Sequence, residues 1–94
     1  MVEYIERQAK PDRARLVEAL EMIESHGFEA PRVAFRSIRG KLWEIKIEAK
    51  LSHRIFYAAE GSTEIVLLHA YEKKSQKAPK REIELAERRM KEIL

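Results

Sequence analysis

The spacing of apolar residues changes twice along the chain. In "KPDRARLVEALEMIESHG", Leu16, Ala19, Leu20 and Ile23 recur three and four residues apart, which predicts a helix with one buried stripe. Pro11 suits its first positions, Asp12 its first turn and Gly27 its C-terminal stop. The preceding "VEYIERQ" reads as a short helix with Val2, Tyr4 and Ile5 inward, so the two segments form a helical hairpin. Residues 28–40, "FEAPRVAFRSIRG", carry a proline, a terminal glycine and three arginines, and read as irregular. The period then drops to two. Trp43, Ile45 and Ile47 alternate with Glu44, Lys46 and Glu48, a half-buried strand. "HRIFYAAE" is a second strand that ends at Gly61-Ser62. "EIVLLHAY" is apolar on both faces and reads as the central strand. From about Pro79 the helical period returns, with Ile83, Ala86, Met90 and Ile93 on one stripe.

The order is helix, helix, strand, strand, strand, helix. Short connections between strands favour an antiparallel meander with the helices on one face, an α+β fold. Trp43, Ile45, Ile47, Leu16, Leu20 and Ile83 should then be buried together. Ninety-four residues suffice for one domain, 1–94, with one modest core.

Composition narrows the chemistry. No cysteine is present, so disulfides, thiolate metal sites and cysteine nucleophiles are excluded. The apolar runs are too short for a membrane span, and "MVEYIERQAK" lacks the pattern of a secretory signal, so the expected location is the cytoplasm. Net charge is +3, but residues 1–30, 31–57, 58–72 and 73–94 carry −3, +5, −3 and +4 in turn. Two basic blocks separated by an acidic one can merge into a single patch that attracts phosphate or an acidic partner. The alternative is a set of unrelated solvated faces.

No Gly-rich phosphate loop, no Ser-His-Asp order and no metal-ligand spacing of His, Asp and Glu occurs, so no cofactor or metal is expected. Trp43 reads as core rather than as a stacking platform for bases. The basic set remains: Lys46, Arg54, Lys73, Lys74, Lys77, Lys80 and Arg81, with the arginines of the 32–39 segment. Lys80 and Arg81 stand in a first helical turn, where the helix dipole disfavours cations unless something negative binds there. Arg54 beside "IFY" has two explanations. It either clamps a phosphate or pairs with Glu44 or Glu48. His69, alone in an apolar strand, reads first as a packed histidine. Cations gathered without a metal can stabilise the charge that builds as an RNA 2′-OH attacks its own phosphate.

The runs "LWEIKI" (42–47), "HRIFY" (53–57) and "IVLLHAYEKKSQKAPKREIELAERRMKEI" (65–93) resemble the RelE/ParE toxin superfamily of type II toxin–antitoxin modules. The similarity is to its phage-derived RelE-like, HigB-type branch and covers roughly residues 12–94. The resemblance implies an mRNA endoribonuclease, ribosome-associated or free, neutralised by a cognate antitoxin of helix-turn-helix type. It implies catalytic roles for Lys46, Arg54, Lys73 and Lys74. It also implies RNA contacts from Arg36, Arg39, Lys41, Lys77, Lys80 and Arg81, with His53 or His69 for proton transfer. Two further readings stay open: a ParE-like gyrase inhibitor, and a non-catalytic module that keeps only the antitoxin interface. The superfamily usually begins with a strand, whereas this chain begins in a helix. One sheet edge should therefore lack its strand and be covered by the antitoxin, by a second copy in a homodimer, or by a loop from 28–40.

Overall fold

The computed structural model describes residues 2–60, 64–74 and 79–93. Helix α1 (Val2–Glu6) leads into α2 (Lys10–His26), followed by a single 3₁₀ turn, Gly27–Glu29. Strands β1 (Ala34–Arg39), β2 (Leu42–Glu48), β3 (Ser52–Glu60) and β4 (Glu64–Glu72) form one antiparallel sheet in sequential order, and α3 (Lys80–Ile93) closes the fold. Pro11 lies at the start of α2, and Gly27, at φ +60°, ends it while donating its N–H to the Ile23 carbonyl. The turn expected at Gly61-Ser62 lies outside the described residues.

The sheet has four strands, not three. The stretch expected to be irregular forms β1, which pairs Ala34 with Lys46, Phe35 with Ile45 and Arg36 with Glu44. It occupies the edge that was expected to be bare. Its apolar residues do not recur at every second position, because Phe35 joins the core on one face and Ile38, three residues on, the core on the other. The register shift between Ser37 and Arg39 then turns Arg39 to the side of Ile38 as well. Gly40 at φ +57° makes the tight return into β2.

The helices lie on both faces, which corrects the expectation of one helical layer. On one face Leu16, Ala19 and Ile23 of α2 pack with Ile45, Ile47, Ile55 and Tyr57, and Trp43, Leu20, Tyr4 and Ile5 join them. On the other, Ala86 and Ile83 of α3 pack with Leu42, Phe56, Ala58, Leu68 and Tyr71. Ile83 is thus buried apart from Trp43 and Leu16. The cause is β3, in which every residue from His53 to Ala58 is buried. A strand buried on both sides needs a layer on each side. The truly internal apolar strand is therefore β3, and β4, read as central, is an edge strand. Among the described residues no helix is long and apolar enough to cross a membrane.

Candidate functional site

Strand register builds the site. Side chains alternate between faces, so residues paired across the ladder share a face. On the α3 face, Lys46 of β2 stands opposite Arg54 of β3, and Arg54 opposite Tyr71 of β4. One row along, Glu44 faces Phe56 and Phe56 faces His69, with Arg36 of β1 beside Glu44. The next row, Leu42, Ala58 and Val66, is apolar and belongs to the α3 core. The Lys73 N–H donates to the Ser52 carbonyl at 2.8 Å, which extends the ladder past β4 and returns Lys73 to the face of Tyr71 and Arg54. Lys46, Arg54 and Lys73 therefore lie together at the end of the α3 face away from the β1–β2 turn, with Arg36 one row off. Lys46 and Arg36 are exposed, Lys73 is half-buried and Lys74 is exposed.

Arg54 is the floor of this site rather than its open cation. Its side chain is 5% exposed and its Nε sits 3.8 Å from Oε1 of Glu44, which is itself buried. Nη1 donates to Ser52 Oγ at 2.8 Å, to the His53 carbonyl at 3.0 Å and to Glu48 Oε1 at 3.2 Å. The Tyr71 hydroxyl donates to Glu44 Oε2 at 3.1 Å. The structure shows the carboxylate contacts of one of the two explanations for this arginine, while its buried Nε has no hydrogen-bond partner among the described residues. Burial, the charge of Glu44 and the hydrogen bond to it push the Tyr71 hydroxyl above its ordinary range.

His69 lies on the same face, its Nε2 on the Glu82 carboxylate of α3 and its Nδ1 3.4 Å from Arg89 Nη1. The pairing fits an imidazole that donates from Nε2 and accepts at Nδ1. Because Glu82 of its first turn meets His69, α3 starts over the middle of the face and runs towards the β1–β2 turn, where Glu87 holds Arg39. Lys80 and Arg81 are exposed on that first turn. Lys80 has a 3.9 Å contact with Glu84 one turn on, yet its side chain is 91% exposed, so the helix-dipole cost is reduced by solvent.

Other members of the basic set are elsewhere. Arg39 is tied to Glu87, whose hydrogen bond raises the guanidinium pKa and lowers that of the carboxyl. Lys41 is on the β1–β2 turn, roughly 16 Å along the strand from Lys46. Lys77 lies outside the described residues.

Residues 3–91 match the protein family described as "Phage derived protein Gp49-like (DUF891)". The chain belongs to this Gp49-like family. The family is associated with RelE-like toxins. No curated protein matches the chain.

The second histidine of this Gp49-like protein is on the opposite face. His53 is wholly buried, with Nε2 2.7 Å from Asp12 Oδ2 and Nδ1 2.6 Å from the Tyr4 hydroxyl. Asp12, 1% exposed, also accepts the backbone N–H groups of Leu51 at 2.9 Å and Lys50 at 3.2 Å. The His53 hydrogen bond and then these amides hold the Asp12 carboxyl below its usual value against the effect of burial. This relay fastens α1 and α2 to the β2–β3 turn, away from the cations. Local patterning reads Asp12 as a first-turn helix acid, and its partners about forty residues on leave no local mark in the sequence.

Proposed function

We propose that this Gp49-like protein is the toxin of a two-component toxin–antitoxin module and that it cleaves mRNA. The observation that carries the reading is the placement of Lys46, Lys73 and Arg36 by strand register towards one end of a single sheet face, with Lys74, Lys80 and Arg81 exposed. The family's association with RelE-like toxins supports it. The phosphodiester lies across this end of the face. The 2′-OH gives up its proton and attacks the adjacent phosphorus, the bond to the 5′-oxygen breaks, and that oxygen takes a proton. The products are a 2′,3′-cyclic phosphate and a 5′-hydroxyl. Lys46 and Lys73 stabilise the charge on the equatorial oxygens, an effect that one well-placed donor supplies at about 3–4 kcal/mol. His69 is the candidate for proton transfer, because among the described residues Nδ1 has only the long contact to Arg89. Arg54 positions Glu44, Glu48 and Tyr71 beneath the substrate instead of gripping the phosphate. Cleavage is metal-independent, takes place in the cytoplasm on free or ribosome-bound message, and is silenced by a cognate antitoxin.

A second reading rests on the enclosure of Arg54 by carboxylates. A face whose deepest cation is already neutralised suits a protein that blocks its target by contact, as a gyrase inhibitor or an antitoxin-binding module. Induced expression separates the two. The nuclease reading expects growth arrest with new 5′-hydroxyl ends in mRNA and cleavage that persists in EDTA. Arrest with intact mRNA sinks it.

A further inference from the structure

The face opposite the cations is only partly covered. Four strands at a spacing of about 4.8 Å make a sheet roughly 14–19 Å wide, whereas one helix with its side chains is about 10–12 Å across. The buried stripe of α2 meets Ile45, Ile47 and Ile55, on β2 and β3, and α1 is only five residues long. Among the described residues, the inner side of β4 is left beside α2 without a helix of its own. What lies there is an open groove of about 780 Å³ between the C-terminal half of α2 with its 3₁₀ turn and β4. Leu20, Ile23, Phe28, Ile65 and Leu67 line it. Ile65 and Leu67 are half-buried and Phe28 is 43% exposed. Behind Phe28, ring centroids 6.1 Å apart, Tyr57 buries a hydroxyl that has no hydrogen-bond partner among the described residues.

The helical rim of the groove is acidic. Glu24 and Glu29 line it, with His26 between them, and no lysine or arginine lines it among the described residues. The β4 side brings Ile65 and Leu67, while Glu64 is turned to the opposite face by its pairing. The cations of the proposed substrate surface are likewise on the other side of the sheet.

We propose that this groove is a docking site for a basic amphipathic helix of a partner protein. Its apolar stripe, at positions i, i+3 or i+4 and i+7, would pack on Phe28, Ile65 and Leu67, with Lys or Arg at the margins against Glu24 and Glu29. The width of the uncovered strip selects a helix, and the acidic rim of Glu24 and Glu29 selects its charge. Such a partner leaves Lys46 and Lys73 open, so docking and the chemistry of the opposite face are separable. The site stands independently of the nuclease reading.

Two stapled helical peptides with the same leucine stripe test this, one with lysine and arginine on its polar face and one with glutamate. Binding is followed by amide shifts on the intact protein. The basic peptide is expected to shift amides of Leu20, Ile23, Phe28, Ile65 and Leu67 and to bind at least about tenfold more tightly than the acidic one. The exposed-site double variant Glu24→Lys, Glu29→Lys, with unchanged circular dichroism, is expected to reverse that preference. Several results overturn the proposal. They are equal binding of both peptides, no binding at millimolar concentration, shifts centred on Lys46 or α3, pairing of an extended peptide along the β4 edge, or self-association of the protein through the same amides.

Discussion

Replacing Arg54 by alanine separates a structural arginine from a phosphate clamp. In the folded protein the Arg54 and Glu44 side chains are 5% and 3% exposed, and Glu44 has as neighbours the guanidinium and the Tyr71 hydroxyl. Without the guanidinium, a carboxylate remains in a poorly hydrated position with one hydrogen bond. Removing one partner of a buried ion pair costs about 3–5 kcal/mol, because the survivor is left uncompensated. Glu48 adds little, since its side chain is 56% exposed. A domain of this size has a total stability of roughly 5–14 kcal/mol, so the variant stays near the folding threshold. Urea unfolding followed by the fluorescence of Trp43, the single tryptophan, measures the loss. A second substitution, Glu44→Gln, removes the stranded charge and should restore about 1–3 kcal/mol. A loss under about 1 kcal/mol in Arg54→Ala, or a double variant no more stable than the single one, would refute a structural role and return Arg54 to the substrate.

Acid titration tests the Asp12–His53–Tyr4 relay. The folded Asp12 carboxyl is held below its ordinary value by His53 and the Leu51 amide, so its stabilisation is complete above about pH 4 and lost as pH falls through the depressed folded value. Asp12→Asn should flatten the acid limb of the stability curve, and an unchanged limb counts against the relay. At the alkaline end, burial pushes Tyr4 and Tyr57 up to about 12, and burial with Glu44 carries Tyr71 higher still. Their stabilisation is complete below about pH 10 and lost as pH rises through the folded values. Absorbance at 295 nm should therefore stay flat through pH 10 and rise together with unfolding. A tyrosinate step near pH 10 in folded protein contradicts the burial of these rings.

Much of this fold is legible in the spacing of apolar residues, because the long elements have uninterrupted periods. The α2 stripe, the alternation of β2 and the α3 stripe as far as Met90 are each set by local repetition that burial then uses, whereas Ile93 near the end of α3 and Val2 in α1 are exposed. Where the period is interrupted, the sequence misleads. In β1 the apolar Phe35 and Ile38 serve opposite faces and so do not alternate with polar residues at a period of two, and Pro31 and three arginines add the composition of a loop. For β4, apolar residues on both faces suggest strands on both sides, whereas the groove and α3 account for them. The Lys46–Arg54 juxtaposition could be foreseen from the meander alone. Pairing of Arg54 with Glu44 or Glu48 is one of the two explanations the sequence offers, but that Glu44 is the buried partner and Glu48 the exposed one depends on packing across the sheet. His53 and His69 are equally ambiguous in sequence, and the bulge at Leu68 decides the second. It places His69 opposite Phe56 on the α3 face.

In the reading proposed above, the end of the α3 face that carries Lys46 and Lys73 acts on RNA. The most direct test of this is cleavage of defined mRNA by purified protein, with and without ribosomes, for the native chain and for Lys46→Ala, Lys73→Ala. Both substitutions are on solvent-accessible positions, and the double variant should unfold within about 0.5–1 kcal/mol of the native chain. The account predicts that it loses at least about 10³-fold in cleavage rate while the native protein leaves 2′,3′-cyclic phosphate ends. A double variant that cuts at the native rate, or a native protein that leaves mRNA whole on and off the ribosome, contradicts the account.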